Sequence, residues 1–455
     1  MSESSQLFQT ELAHCGYEVR YFSSKYPIFN PDPELGAYTI TSWVRGFEIE
    51  DSMDYSFRIG KLYVNFALGM QKIVQFTGND FIIIKYASNF EFSKAKVSSK
   101  TIVFRVLNIT EEVPASLENN NEKYKVQTLC FSLAEAPYYD ILLKKSYFKT
   151  FPWNDDSLLS SGYSGISSIV KETIQDVLNK EGLDIELNIE ETDDTLTPEK
   201  NINFYNPSWP LLKSINYLKR FASSLIGGNS YYNFSCKDGR IDFISIDSLY
   251  NSKINDLAKT VYISRDYDEK YGSKVKLVNS TNQILHHKYD WYNGTDLAFN
   301  GLGGQTVFSK DYKSSHNFVS HDFKLFKKQE TPKDAYWLHS QDHGDQWSDI
   351  SYSPLHLPHL IQNLKRYEFS KKAFNSVKVD IICYVSSQRN VGDISTLCIP
   401  SEKGIIDPNF GNNLLLWKIV DKVGLGDSSY SILTFKKNSF TGANGGNFGQ
   451  LMNYP

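Results

Sequence analysis

The stretch 144–249 constrains the fold more tightly than any other part of the chain, because its local signals come in a fixed order: strand end, helix, strand-like link, helix, hairpin. After the strand end "KKSYFK", Ile166, Ile169, Val170, Ile174, Val177 and Leu178 recur at helical spacing and make one apolar stripe. Ser164 is placed to cap this helix. Gly182 is placed to end it, since glycine tolerates the left-handed conformation that closes a helix. The run "LDIELNIEETDDTL" reads as the link. The second helix has Ser208 as its expected cap and Pro210 in its first turn, where a missing N–H forfeits no intrahelical bond. Leu211, Ile215, Leu218 and Ala222 line one of its faces, and Gly227-Gly228 closes the segment. Residues 232–236 and 240–244 then alternate on either side of Lys237-Asp238-Gly239, and the Asp-Gly pair supports the positive φ values of a hairpin turn. Each piece alone fits any α+β protein. The order is the informative part.

Ahead of this stretch, "YTITSWVRGFEIEDS", "SFRIGKLYVNFAL", "NDFIIIKYA", "KTIVFRVLNI" and "EKYKVQTLCFSLAE" predict five strands, with alternation such as Ile102, Phe104, Val106. "TGND", "SKAKVSSK" and "NNNEK" separate them as turns, and short regular strands of this kind predict a barrel or sandwich. Residues 258–366 are dense in aromatics and histidines without clear alternation and read as a mixed insertion. Strands return in "FNSVKVDIICYVSS", "GDISTLCIPS", "NLLLWKIVDKVG" and "SYSILTFKKNSF", and the Gly- and Asn-rich end reads as an extended arm.

Composition narrows the class. A chain of 455 residues supports more than one hydrophobic core. The formal net charge of −4 leaves no global basic field to recruit nucleic acid. Tyr and Phe outnumber Gly, which favours β structure with polar turns. Cys15, Cys130, Cys236, Cys383 and Cys398 lie far apart without paired spacing, which predicts reduced thiols and folding in a cytosol. The first residues lack the charged and apolar regions of a signal peptide, and no window has the apolar length of a membrane-crossing helix. A soluble protein is expected.

Candidate chemistry is sparse. His339 and His343 stand four apart, with Asp342 and Asp345 close by and His356 and His359 further on. The Glu of a His-Glu-x-x-His helix is missing, and a proline separates the last two histidines, so loop histidines at an interface are the expectation for all four. His286-His287 is a weaker case of the same kind. "EIEDSMD" and "NIEETDDT" are acidic clusters with no sign of the paired carboxylates across a cleft that glycoside hydrolysis needs. "GGQT" and "GANGGNFG" lack the Lys-Ser/Thr ending of a phosphate loop, and there is no Gly-x-Ser-x-Gly elbow. Trp291, Tyr292, Tyr336, Trp337 and Trp347 can stack on sugars, but packing in a core or subunit interface is the expected role. No catalytic, cofactor-binding or metal residue is assigned, and a non-enzyme without cofactors is expected.

The succession in 144–249, with the closing pattern "NSVKVDIICYVSSQRNVGDISTLCIPS" and "NLLLWKIVDKVGLGDSSYSILTFKKNSF", resembles the baseplate hub proteins of contractile-tailed bacteriophages. These are related to the spike-base of contractile injection systems. The resemblance runs over roughly 38–440 and leaves 258–366 and the N-terminal lead unmatched. It implies a mainly β fold with a minor α part (β + α/β): two tube-type antiparallel β-barrels in one chain, braced by short helices, with an inserted mixed domain. The implied division is an N-terminal extension (1–37), a first barrel (38–150), a helical α+β segment starting the second barrel (151–257), the insertion (258–366), strands completing the second barrel (367–440) and a C-terminal arm (441–455). On this reading 201–249 joins in space with 374–440. The implied function is a structural hub: a homotrimeric, pseudo-sixfold ring joining the sixfold tail tube to the threefold central spike. DNA passes through it non-specifically at ejection. Implied partners are the spike, tube or tube-initiator proteins and surrounding baseplate proteins, without membrane insertion. The implied place is the virion tail baseplate, assembled in the host cytoplasm. A spike-base of an injection system, or a carbohydrate-binding or cell-wall-degrading tail module, is the alternative.

Overall fold

The structure, a computed structural model, describes residues 15–22, 37–67, 76, 79–88, 99–112, 126–144, 149–153, 165–192, 202–206, 209–222, 224, 232–246, 248–249, 260–264, 281–290, 305–310, 318–323, 348–349, 377–399, 414–424 and 429–437. The chain opens with strands β1 (Cys15–Phe22), β2 (Ala37–Thr39), β3 (Val44–Ser52), β4 (Ile59–Ala67), β5 (Phe81–Ser88), β6 (Lys100–Glu112) and β7 (Val126–Glu135). Next come α1 (Tyr138–Leu143), β8 (Lys149–Trp153), α2 (Gly165–Glu181), β9 (Glu186–Ile189), β10 (Ile202–Asn206), α3 (Leu211–Leu218), β11 (Tyr232–Lys237) and β12 (Arg240–Ser245). β13 (Thr260–Ser264), β14 (Gln283–Asp290), β15 (Gln305–Lys310), β16 (Phe318–Phe323) and β17 (Ser348–Asp349) follow. β18 (Val377–Cys383), β19 (Ile394–Cys398), β20 (Leu414–Val423) and β21 (Tyr430–Lys437) close the series. The fold is mainly β, and the five strands expected in 38–147 form as β3 to β7.

The described residues fall into two units, one drawn from 1–141, 257–288 and 379–435 and the other from 142–256, 289–378 and 436–455. The first unit is organised by a single sheet in the order β19-β13-β14-β18-β21-β20-β3-β4-β7-β6-β5-β1-β2. β19 also pairs with β20, so β19, β13, β14, β18, β21 and β20 close into a six-stranded barrel. Inside it Tyr262, Val379, Ile381, Cys383, Leu433 and Phe435 are buried, with the Tyr262 and Phe435 rings edge to face at 5.5 Å.

From β20 the sheet continues through β3 into the N-terminal strands. These curl around one core that includes Val19, Phe47, Leu62, Ile84, Phe104 and Phe131. Alternation places those side chains on one face, and each loses contact with water. Tyr17 on β1 reaches back to β3: its ring lies edge to face on Phe47 at 5.5 Å, and its hydroxyl donates to the Val44 carbonyl at 3.4 Å.

The described strands cross three of the expected boundaries. Residues 1–37 are not merely a lead, because Cys15–Phe22 is strand β1, in register with β5 from Cys15↔Ser88 to Phe22↔Phe81. The segment 258–366 is not wholly an insertion, because β13 and β14 are staves of the closed barrel. The closing strands therefore complete their barrel with β13 and β14, and not with 201–249. β13 pairs in parallel with both β14 and β19, and parallel partners are joined by long connections that leave no hairpin signal in the sequence.

In the second unit the local signals of 144–249 are realised closely. α2 buries Ile166, Ile169, Val170, Ile174, Val177 and Leu178 along one stripe. It ends on Gly182 at φ +67°, with Leu183 N–H donating to the Leu178 carbonyl at 3.0 Å. Pro210 precedes the first turn of α3 instead of lying within it, at φ −52° and ψ 143°, and its carbonyl accepts from the N–H groups of Lys213 and Ser214. The expected caps Ser164 and Ser208, and Gly227-Gly228, lie outside the described residues. β11 and β12 form the hairpin, with Asp238 at φ +50° and Gly239 at φ +82° in a two-residue turn, and β9 adds in parallel to β12.

Two positive-φ glycines separate backbone strain from crowding. Gly182 has nothing within 4 Å of an added Cβ, whereas at Gly424 (φ +72°) that atom would lie 3.1 Å from the Arg45 carbonyl oxygen and 3.3 Å from Gly46 Cα. Gly182→Ala should cost about 1–2 kcal/mol for the left-handed backbone alone. Gly424→Ala should cost about 3 kcal/mol or more, because β3 backbone must move as well. Urea unfolding of the two variants checks this, and equal losses would contradict it.

Candidate functional site: the seam between the two β assemblies

β3 and β20 join the curled N-terminal sheet to the closed barrel through an antiparallel ladder from Lys418↔Ser52 to Val423↔Phe47. The ladder is extended by Met53 N–H, which donates to the Trp417 carbonyl at 2.9 Å, and by Trp417 Nε1, which donates to Asp54 Oδ2 at 2.8 Å. The two faces of the seam differ. One carries ion pairs, Lys418 Nζ to Glu50 Oε1 at 2.5 Å and Lys422 Nζ to Glu48 Oε2 at 3.6 Å, all partly exposed. Such pairs each contribute little in water. The other face packs Phe47, Ile49 and Val423 into the core and carries one charged residue from β20, Asp421, 3% exposed.

Asp421 is held by two hydroxyl donors. Tyr86 Oη donates to Oδ2 at 2.7 Å and Ser431 Oγ to Oδ1 at 2.5 Å. A buried carboxylate without partners would be strongly disfavoured, and donors aimed at both oxygens offset that. Burial first, and then the Asp421 charge, hold the Tyr86 hydroxyl well above its ordinary value of 10.0, so it stays a donor.

A second buried cluster lies on the same sheet. Arg58, 1% exposed, donates from Nε to Asp51 Oδ2 at 3.0 Å and from Nη1 to Glu135 Oε1 at 3.1 Å. Its backbone N–H donates to Glu135 Oε2 at 3.1 Å. One cation thus sits against two carboxylates, tying the β3 end, the turn after it and the β7 end together. In the barrel, Arg389 donates to the carbonyls of Tyr384 (2.8 Å) and Thr281, with its guanidinium 5.6 Å from the centre of the Tyr262 ring. Burial pushes the Cys383 thiol from 9.0 to about 12 and the Tyr262 hydroxyl from 10.0 to about 12, against the opposing charge of Arg389.

The residues singled out from sequence fall as follows. Of "EIEDSMD", Glu48 and Glu50 make surface ion pairs, Asp51 holds Arg58 and Asp54 accepts from Trp417. Of "NIEETDDT", Glu190 accepts from Ser224 Oγ (2.9 Å), Ser245 Oγ (2.8 Å) and Ser245 N–H (2.6 Å), which pins the strand link to the hairpin. These carboxylates are committed to the scaffold. His286 and His287 are neighbours on β14 with ring centres 6.5 Å apart. His339, His343, His356, His359, Asp342, Asp345, Trp291, Tyr292, Tyr336, Trp337 and Trp347 lie outside the described residues. Among the described residues no group of His, Cys, Asp and Glu could hold a metal, and all five cysteines are free thiols. No described helix is long and apolar enough to cross a membrane.

The seam residues Arg58, Glu135, Tyr86 and Asp421 were not singled out by the sequence. Only Asp421 leaves a readable trace, as the one acid in the inward alternation Leu415, Trp417, Ile419, Asp421, Val423.

Over 93% of this chain and 97% of the other, the structure matches the tail protein from Neisseria meningitidis MC58, with a TM-score of 0.51 and 9% identity. It matches the 43 kDa tail protein of prophage MuSo2 from Shewanella oneidensis with a TM-score of 0.50 and 9% identity, over 92% and 98% of the two chains. A PdpA–VgrG complex of Francisella gives a TM-score of 0.47 and 8% identity, over 95% of this chain and 60% of that one. No family model and no curated protein sequence matches. The chain has the fold of these tail proteins.

Removing Arg58 leaves Asp51 and Glu135 buried without their cation, so Arg58→Ala should destabilise the first unit by about 3–5 kcal/mol in denaturant titrations. A loss under 1 kcal/mol would show that the cluster is solvated. The barrel should also weaken in alkali. Cys383 and Tyr262 are favoured in their protonated forms, so their contribution is present below pH 9 and 10 and is lost as pH rises toward about 12. Cys383→Ala should delay the onset of that decline, and an unchanged profile would remove Cys383 from the account.

Proposed function

We infer that this chain is a structural baseplate hub of a phage tail. In this role three copies form a pseudo-sixfold ring that joins the sixfold tail tube to the threefold central spike, and DNA passes through it at ejection. The observation that carries the reading is the likeness to tail proteins over nearly the full length of both chains. The joining of two β assemblies by one ladder supports it further, since a chain with two such parts can present six to a ring from three copies. A hub needs no catalysis. The described acidic clusters are engaged in ion pairs and hydrogen bonds, which favours a non-enzyme without cofactors. The near-neutral charge suits a passage that must not hold DNA by counterion release. The partners on this reading are further copies of the chain, the spike, the tube or its initiator and neighbouring baseplate proteins. The place is the tail baseplate of the virion, after assembly in the host cytoplasm.

Light scattering of the purified protein, alone and with its candidate spike, tests the proposal. A mass three times that of the chain, or a three-to-three complex, is expected. A monomer under both conditions would overturn the ring and turn attention to glycan binding and cell-wall cleavage.

A further inference from the structure

We propose that Asp421, with Tyr86 and Ser431, is a register lock that selects which residues of β20 pair with β3 and so fixes the setting of the barrel on the N-terminal sheet. The inference concerns the seam alone and does not depend on the trimer. Its starting point is an ambiguity in β20. The strand reads Leu414, Leu415, Leu416, Trp417, Lys418, Ile419, Val420, Asp421, Lys422, Val423, and all but Lys418 and Lys422 are buried. A slip of two residues keeps every side chain on its own face, so inward Leu415, Ile419 and Val423 replace one another as apolar groups, and of the inward apolar side chains only Trp417 has a polar contact to lose, its Nε1 donation to Asp54. Apolar packing therefore separates odd slips from even ones but discriminates weakly among the even ones.

The ion pairs do not resolve the ambiguity. In the observed register Lys422 faces Glu48, and Lys418 reaches Glu50 diagonally. Slipping β20 one way by two residues sets Lys422 directly opposite Glu50. Slipping it the other way sets Lys418 directly opposite Glu50. A lysine meets a glutamate in all three settings.

Asp421 is different. In the observed register it lies opposite Ile49 and receives the Tyr86 and Ser431 hydroxyls. In the first slip it would come opposite Asp51, placing two buried carboxylates face to face on a strand pair where Asp51 already serves Arg58. In the second it would come opposite Phe47 and leave the Tyr86 hydroxyl, from β5, without its acceptor. Only one of the three settings satisfies the acid. A lone buried polar group that selects register at some loss of stability is a known physical device in packed helices. Here it operates on a strand pair.

Paired cysteines read the register directly. Glu50→Cys is combined in turn with Val420→Cys, Lys418→Cys and Lys422→Cys, which report the observed register and the two slips. Intrachain cross-links are quantified by peptide mapping after mild oxidation of the full chain, which separates them from products of the native cysteines. The set is made in the natural background and in Tyr86→Phe/Asp421→Val/Ser431→Ala, where the whole polar group is replaced together so that none is left unsatisfied. Each cross-link is compared with the same cross-link in the other background. The apolar background should raise the Lys418→Cys or Lys422→Cys product at least about threefold relative to the Val420→Cys product, by the tenfold-per-1.4 kcal/mol scale of small register preferences. Asp421→Asn keeps the volume and removes the charge. It should raise the Lys422→Cys product alone, because that slip is the one opposed by Asp51. If the apolar background does not fold, the Asp421→Asn set decides. Cross-link patterns identical to the natural background would overturn the lock.

Discussion

The β3–β20 ladder is the constraint on which the first unit depends. Through it the core of the N-terminal sheet continues into the barrel, with Val423 and Val385 packed among Phe47, Tyr86 and their neighbours. β20 belongs to both the closed barrel and this ladder, and all of it but Lys418 and Lys422 is buried, so it reads as a largely apolar run. Such a strand gains much from burial and carries little positional information. The information comes from the few polar groups that have partners at only one place, of which Asp421 is the clearest.

The polar chemistry of the described residues is that of a scaffold. Arg58 against Asp51 and Glu135, Glu190 against Ser224 and Ser245, and Arg389 against two carbonyls each tie segments that are remote in sequence. A carboxylate held by fixed donors keeps its charge and position and is poorly suited to giving and taking protons. A carboxylate in an apolar cleft is the opposite case, with its proton affinity raised toward working pH. Of the acidic clusters, Glu48, Glu50, Asp51, Asp54 and Glu190 each hold an ion pair or hydrogen bond to a neighbouring segment.

Local signals were legible from the chain alone. The helix over Ile166 to Leu178, its glycine end, the Asp238-Gly239 turn and strands β3 to β7 follow from apolar spacing and from residues that tolerate positive φ. Both operate over a few residues and are visible in any window of sequence. Less of the seam could be read. Asp421 stands out in its strand, but Tyr86 lies in an unremarkable β alternation and Arg58 precedes a strand with nothing to mark it as buried. Their partners stand far along the chain: 335 positions separate Tyr86 from Asp421, and 77 separate Arg58 from Glu135.

The sequence by itself determined the class of fold, the chain order of the β blocks and helices, and the resemblance to tail hubs. It did so because periodicity and turn chemistry are local. The tertiary structure decided which strands share a barrel. It drew β1 out of the N-terminal lead and β13 and β14 out of the apparent insertion, and it closed the barrel without strands from 201–249. Parallel and long-range pairing is chosen by the total burial and hydrogen bonding of the assembled sheet, and no short window of sequence holds that sum.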